Sequence, residues 1–253
     1  SEMCIRDRKR ITFTSDSEEA IDLMEEFMMN NENREAESDI QQKLIDSILK
    51  LDPDFAMAKI FRWWGAGEAN RERIISAYES IDKVSDLEGR FITAAYERRI
   101  NGNIVKQDQI MDKLIEDYPE HWQLRVNSGY IKNQLLDAKG SEKRWEEALE
   151  LNPGSYEALT SLVFLHIESG ASTMLPAKDR DLEKAKAYLE TVRALNPSSS
   201  RPDRYMGNIQ NTGELNKTSQ SLTTIIDFIA TDYILSLIHI SEPTRQAEMS
   251  YGV

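Results

Sequence analysis

The chain has 253 residues, of which 40% are hydrophobic and 30% charged, and its formal net charge is −13. So acidic a composition argues against non-specific nucleic-acid binding, which depends on Lys and Arg neutralising phosphates, and against docking on anionic membranes. No apolar run approaches the roughly 20 residues that a membrane-spanning helix needs, so we expect no membrane insertion.

Both ends of the chain are predicted to be foreign to the domain between them. The codons for "LSLIHI", beginning at Leu235, can be written to start with CTGTCTCTTATACACATC, and those for "SEMCIRDR" can contain its reverse complement. One DNA element, the transposase end of a sequencing adapter, would then encode both termini. We therefore predict that residues 1–8 and 235–253 are adapter-derived and that 9–234 is a repeat domain truncated at both ends.

Apolar residues recur at helical spacing along most of the chain. The sequence "SDSE", Ser15 to Glu18, is typical of a capping box that begins the first helix. Further helices are predicted at 35–50, 55–66, 68–82, 87–100, 104–117, 120–136, 141–151, 155–169, 180–195, 202–211 and 214–230. Only "RITFT", residues 10–14, has a strand-like pattern, so the predicted fold class is all-α.

Proline recurs at the ends of these predicted helices, at Pro53, Pro119, Pro153 and Pro197. The spacings are 66, 34 and 44 residues, which fit a period near 34 if a boundary without proline falls at Ser85-Asp86 and residues 171–180 are an insertion. Proline cannot continue a helix but is tolerated as the first residue of the next one. A period of this length indicates paired-helix repeats that bury apolar surface by stacking.

The best repeat, from about Trp122 to Ser155, resembles the tetratricopeptide repeat (TPR) family. The matching residues are Gly129, Trp145, Ala148 and Pro153, followed in later repeats by Ala185, Leu189, Pro197 and Gly207. The resemblance implies a right-handed superhelical solenoid of antiparallel helix pairs, in which the first helix of each pair lines a concave groove that binds a peptide or partner helix.

One set of residues is a candidate for that groove. The ninth position of successive first helices is aromatic in four repeats, and we call these residues the aromatic ladder: Trp64, Tyr96, Tyr130 and Phe164. The polar residues Asn133, Gln134 and Asn208 are predicted to share the same surface. Two interpretations stay open, because such aromatics contribute contact area either to a bound partner or to packing between neighbouring helices.

The sequence predicts no catalytic, metal or cofactor site. His121 is predicted to face solvent and His166 to be packed in an apolar helix, while Asp52 and Asp54 are interpreted as helix capping beside Pro53. No metal-binding His pair, phosphate loop or cysteine cluster is present in the sequence, and the only cysteine, Cys4, falls in the predicted adapter segment.

The leading hypothesis is therefore a non-catalytic protein-interaction scaffold, and we predict that the chain is not an enzyme. Two alternatives stay open: the sensor or assembly arm of a larger signalling enzyme or regulator, and a glycan-binding protein of a bacterial envelope. The compartment is equally open between the cytoplasm and the bacterial periplasm or envelope. Fold alone does not decide among these hypotheses.

Overall fold

The computed structural model describes residues 10–33, 38–61, 68–167, 175–197, 202–214 and 226, and within these ranges the regular structure is helical throughout. The α-helices are α1 (Glu18–Asn33), α2 (Ser38–Leu51), α3 (Ala56–Phe61), α4 (Glu68–Tyr78), α5 (Asp86–Arg99), α6 (Ile104–Asp117), α7 (Trp122–Gln134), α8 (Ala138–Leu151), α9 (Tyr156–His166), α10 (Leu182–Leu195) and α11 (202–214). The strand-like residues 10–14 form no strand. Trp64 and both predicted adapter segments, residues 1–8 and 235–253, lie outside the described residues.

Consecutive helices pack as hairpins: α1 with α2, α3 with α4, α5 with α6, α7 with α8, and α9 with α10. Each hairpin also packs against the next, through α2 and α3, α4 and α5, α6 and α7, and α8 and α9. Three clusters of buried apolar side chains follow this stacking from the first hairpin to α11. The predicted all-α solenoid of antiparallel helix pairs is therefore confirmed.

The prolines separate hairpins as the sequence predicts, although they do not occupy the first position of the next helix. Helices α2, α6, α8 and α10 each end two residues before Pro53, Pro119, Pro153 and Pro197. Helices α3, α7 and α9 begin three residues after the preceding proline, so proline lies in the connection rather than at the first helical position. The inability of proline to continue a helix is thus the property that the fold uses here.

The helix starts differ from the prediction at one capping box and agree with it at another boundary. Helix α1 begins at Glu18 because the hydroxyl of Ser17 accepts the Ala20 N–H (3.2 Å), so the predicted cap at Ser15 is wrong. Helix α5 begins directly after Ser85, where a boundary without proline was predicted, and there Ser85 and Glu88 form a complete capping box. The capping-box pattern spans only four residues and occurs at both places in the sequence. Tertiary contacts therefore decide at which of them the cap forms.

Other boundaries differ where tertiary packing extends or shortens a helix. Helix α11 continues through residues 212–213, which were predicted to separate two helices. The long connection from α9 to α10 contains the predicted insertion at 171–180, and its described part is docked on the hairpin. There Leu175 is 1% exposed and donates its N–H to the carbonyl of Leu165 (2.9 Å).

A polar cluster joins α8, α9 and α10 and includes the buried His166, which is 1% exposed as its apolar helix predicted. Its Nδ1 accepts the backbone N–H of Asp181 (3.1 Å), and its Nε2 lies 3.4 Å from a carboxylate oxygen of Glu142. Lys184 bonds to both Glu142 (2.8 Å) and Glu146. Burial lowers the pKa of His166, and this effect outweighs the opposing influence of Glu142, so the imidazole is neutral near pH 7.

We expect this histidine to make stability fall as the pH drops below about 6.5. Its folded pKa lies below its unfolded pKa, so the unfolded state binds the proton more readily and protonation favours unfolding. The His166→Asn variant retains an acceptor near Nδ1 but does not titrate. Unfolding free energies measured between about pH 7.5 and 5.5 should fall less steeply in this variant than in the unchanged chain, and equal slopes would contradict the assignment.

Candidate protein-binding surface

The described members of the aromatic ladder, Tyr96, Tyr130 and Phe164, are half-buried on the first helices of successive hairpins. Tyr96 stacks on Tyr78 of α4, with ring centroids 4.1 Å apart and an interplanar angle of 18°. Phe164 meets Tyr205 of α11 edge to face at 4.9 Å. Each ring therefore packs toward an adjacent helix and leaves part of its surface exposed.

Tyr130 joins three helices through its ring and its hydroxyl. Its ring lies edge to face with Trp145 of α8, at a centroid distance of 5.4 Å, and its hydroxyl accepts from the hydroxyl of Ser161 on α9 (3.2 Å). Both interpretations of the ladder thus have a physical basis, because each ring packs against an adjacent helix while part of its surface stays exposed. The groove role of the ladder stays a prediction.

The polar candidates differ in their surroundings. Gln134 is exposed at the end of α7, and its carbonyl oxygen accepts from Arg98 of α5 (3.2 and 3.3 Å), so it ties neighbouring first helices together. Asn133 is half-buried beside it, and Asn208 is half-buried on α11. Gln134 and Asn133 therefore lie in the same part of the fold as Tyr130, while Asn208 lies two hairpins further along the chain.

A second feature of the first helices was not predicted: residues 10–15, which we call the leader, are bound to them. The carboxylate of Glu88, 0% exposed at the start of α5, accepts from the backbone N–H of Thr14 (2.9 Å) and from its hydroxyl (2.5 Å). The same carboxylate accepts from the backbone N–H (3.1 Å) and the hydroxyl (2.8 Å) of Ser85. Its two oxygens thus satisfy four donors, which compensates the cost of burying a charge.

Helix α1 continues from the leader across further first helices. Phe27 of α1 meets Phe61 of α3 edge to face at 5.7 Å. Glu25 and Met28 of α1 line a small cavity together with Gln123 of α7, and α1 also contacts α9. The leader and α1 together therefore touch α3, α5, α7 and α9, whose joint face we call the first-helix surface.

The contacts of the leader and α1 lie nearer the starts of the first helices than the ladder does. With Tyr96 and Tyr130 at the ninth position, Glu88 is at the first position and Gln123 at the second. The first-helix surface thus has two strips, one covered by the leader and α1 and one carrying the ladder. The sequence held one signal for the covered strip, the S-x-x-E pattern at Ser85 to Glu88, which predicts the cap but not the contact with Thr14.

The remaining candidate residues have structural surroundings. His121 is 5% exposed and packs beside Tyr118, so the prediction that it faces solvent is wrong. Asp52 accepts the N–H of Asp54 (2.9 Å) within the connection between α2 and α3, and its role in helix capping stays a prediction. Across the part of the chain that the structure describes, no group of three or more His, Cys, Asp or Glu is placed to hold a metal ion. No helix in that part is long and apolar enough to span a membrane.

No family model matches the chain, and no curated protein matches it. Among solved structures, the chain is similar to the crystal structure of PilW, a widely conserved type IV pilus biogenesis factor. The identity is 16% and the TM-score 0.46, over 80% of this chain and 91% of PilW. It is also similar to MamA MSR-1 C2, with 15% identity and a TM-score of 0.43, over 71% of this chain and 98% of that one. Both are TPR-like helical repeat proteins.

Proposed function

We propose that this chain is a non-catalytic scaffold that binds a peptide or a partner helix on its first-helix surface. The observation that supports this most directly is the contact of the leader and α1 with α3, α5, α7 and α9. A surface that holds an extended segment followed by an amphipathic helix offers the two features such ligands need, a partner for backbone N–H groups and an apolar groove.

The ladder strip supports the same proposal. Tyr96, Tyr130 and Phe164 are half-buried, so part of each ring is exposed, and Asn133 lies within one helical turn of Tyr130 on α7. Aromatic side chains contribute large contact areas at low entropic cost, and they are enriched where binding energy concentrates. A partner seated along this strip would contact several hairpins at once, which favours an extended or helical ligand over a small molecule.

Site-specific cross-linking tests the proposal. A photoreactive amino acid placed at Gln134, exposed on the ladder strip, should capture a partner that the same group at Glu116 of α6 does not capture. Glu116 is an exposed residue on a second helix and serves as the matched control. The partner, once purified, should bind the Asn133→Ala variant more weakly by a few-fold, in line with about 0.5–1.5 kcal/mol for one hydrogen bond.

Two results would count against the proposal. Equal capture from Gln134 and Glu116 would place the partner elsewhere on the chain. Hydrolysis of a small substrate by the purified chain, lost on substitution of a first-helix residue, would replace the scaffold with an enzyme.

A further inference from the structure

We propose that α1 and its leader are an internal ligand of the first-helix surface, and that a partner helix of the same chemistry displaces them. This inference rests on the proposed function and specifies the partner: an acidic amphipathic helix preceded by a short extended segment.

Helix α1 packs against α2 in the first hairpin and also contacts α3, α7 and α9, and it is buried along one narrow apolar stripe. Ala20, Met24 and Phe27, spaced as i, i+4 and i+7, are at most 4% exposed. The carboxylate side chains on the rest of the helix are exposed: Glu18, Glu19, Asp22, Glu25 and Glu26. This pattern is that of a helix that lies in a groove with its charged face in solvent.

The leader is held chiefly through main-chain and hydroxyl groups. Thr14 gives its backbone N–H and its hydroxyl to Glu88, while Ser15 gives its hydroxyl to Asp52 (2.5 Å). Phe13 adds an edge-to-face contact with Phe55, at a centroid distance of 6.2 Å. Any extended segment with a hydroxyl residue and an aromatic side chain at the corresponding places would reproduce these contacts, so the recognition is transferable to another chain.

Three features favour the displacement of α1 and its leader from the first-helix surface by a partner. The carbonyl oxygen of the Gln123 side chain is buried beside the leader and α1, and it has no hydrogen-bond partner among the described residues. Residues 10–33 carry seven acidic groups and one basic group, and the rest of the chain has a formal net charge of −7, so the segment is repelled electrostatically by the rest of the chain. The last turn of α1 contains no basic residue to favour its C-terminal end.

The test uses the full chain with a protease site inserted between Asn33 and Ser38. After cleavage, a fluorescent peptide of residues 10–33 is added, and its anisotropy reports binding. We expect saturable binding to the cut chain and at least tenfold weaker apparent binding to the uncut chain, because the tethered segment competes at an effective concentration in the millimolar range. Raising the salt concentration should tighten binding, since screening weakens the repulsion between acidic groups.

Matched variants locate the binding. The Met24→Asp change in the peptide should abolish binding, whereas Asp22→Asn, on the exposed face, should leave it within about twofold. The Glu88→Ala change in the cut chain should weaken binding by about tenfold, the factor that corresponds to 1.4 kcal/mol.

The inference is overturned if the cut chain unfolds or keeps its own segment without exchange for a day, because α1 is then an integral part of the core. It is equally overturned if the cut and uncut chains bind the peptide alike. Neither result would contradict the proposed function, because a partner could still bind along the ladder strip. That proposal depends on the capture of a partner from Gln134 and not from Glu116.

Discussion

Replacing Gly129 with alanine is expected to destabilise the chain, whereas the same replacement at Gly207 is expected to stabilise it. Both glycines occupy the eighth position of a first helix, and their surroundings differ. A Cβ on Gly129 would lie 2.3 Å from Nε1 of Trp145 and 2.6 Å from two further indole atoms, while nothing lies within 4 Å of a Cβ on Gly207. The steric contact therefore decides the sign.

The indole of Trp145 has little freedom to move away. It is 2% exposed, and its Nε1 donates to the carbonyl of Val126 on the same helix as Gly129 (3.1 Å). Insertion of one methyl group into such packing typically costs 1–3 kcal/mol, more than the roughly 1 kcal/mol that alanine gains over glycine in a helix. At Gly207 only the gain applies.

Thermal unfolding measures both effects. For a chain of this size, about 1 kcal/mol corresponds to a shift of about 2–4 °C in Tm. We expect Gly129→Ala to lower Tm by several degrees and Gly207→Ala to raise it slightly. In a Trp145→Leu background the penalty of Gly129→Ala should shrink, since the clashing ring is gone. A Gly129→Ala variant as stable as the unchanged chain would show that the indole relocates freely.

The fold was predictable because its strongest signals are local. Proline interrupts a helix whatever surrounds it, so the ends of α2, α6, α8 and α10 follow from the positions of four prolines. The close approach of Gly129 and Trp145 is likewise built into one hairpin, where a small residue on α7 faces a large one on α8. Such short-range rules operate within about 34 residues.

The covered strip was not predictable in this way, because it depends on contacts between distant parts of the chain. Thr14 and Glu88 are 74 residues apart, and no periodic pattern links them. The same limit explains the wrong cap at Ser15, whose hydroxyl is used by Asp52, 37 residues away, instead of by α1. The burial of His121 also depends on tertiary packing, since its place at a helix start suggests exposure.

The Glu88→Gln substitution is expected to lower the unfolding free energy by about 1.5–3 kcal/mol and to release the leader. The carboxylate accepts from two backbone N–H groups on different oxygens, Thr14 on Oε1 and Ser85 on Oε2. An amide has only one carbonyl oxygen, so in either orientation its NH2 group faces one of those N–H donors. Hydroxyls can rotate to adapt, but the backbone N–H groups cannot.

Hydrogen exchange and equilibrium unfolding separate the two parts of this expectation. In Glu88→Gln, the amide of Thr14 should lose protection from hydrogen exchange, and the chain should lose global stability. Glu116→Gln makes the same substitution at an exposed glutamate, and it should alter neither quantity by more than about 0.5 kcal/mol. Thr14→Val, which removes the hydroxyl and keeps the N–H, should cost less than Glu88→Gln because only a rotatable donor is lost. Full protection of Thr14 in Glu88→Gln would mean that the leader is held by Phe13 and Ser15, and that the buried carboxylate serves α5 alone.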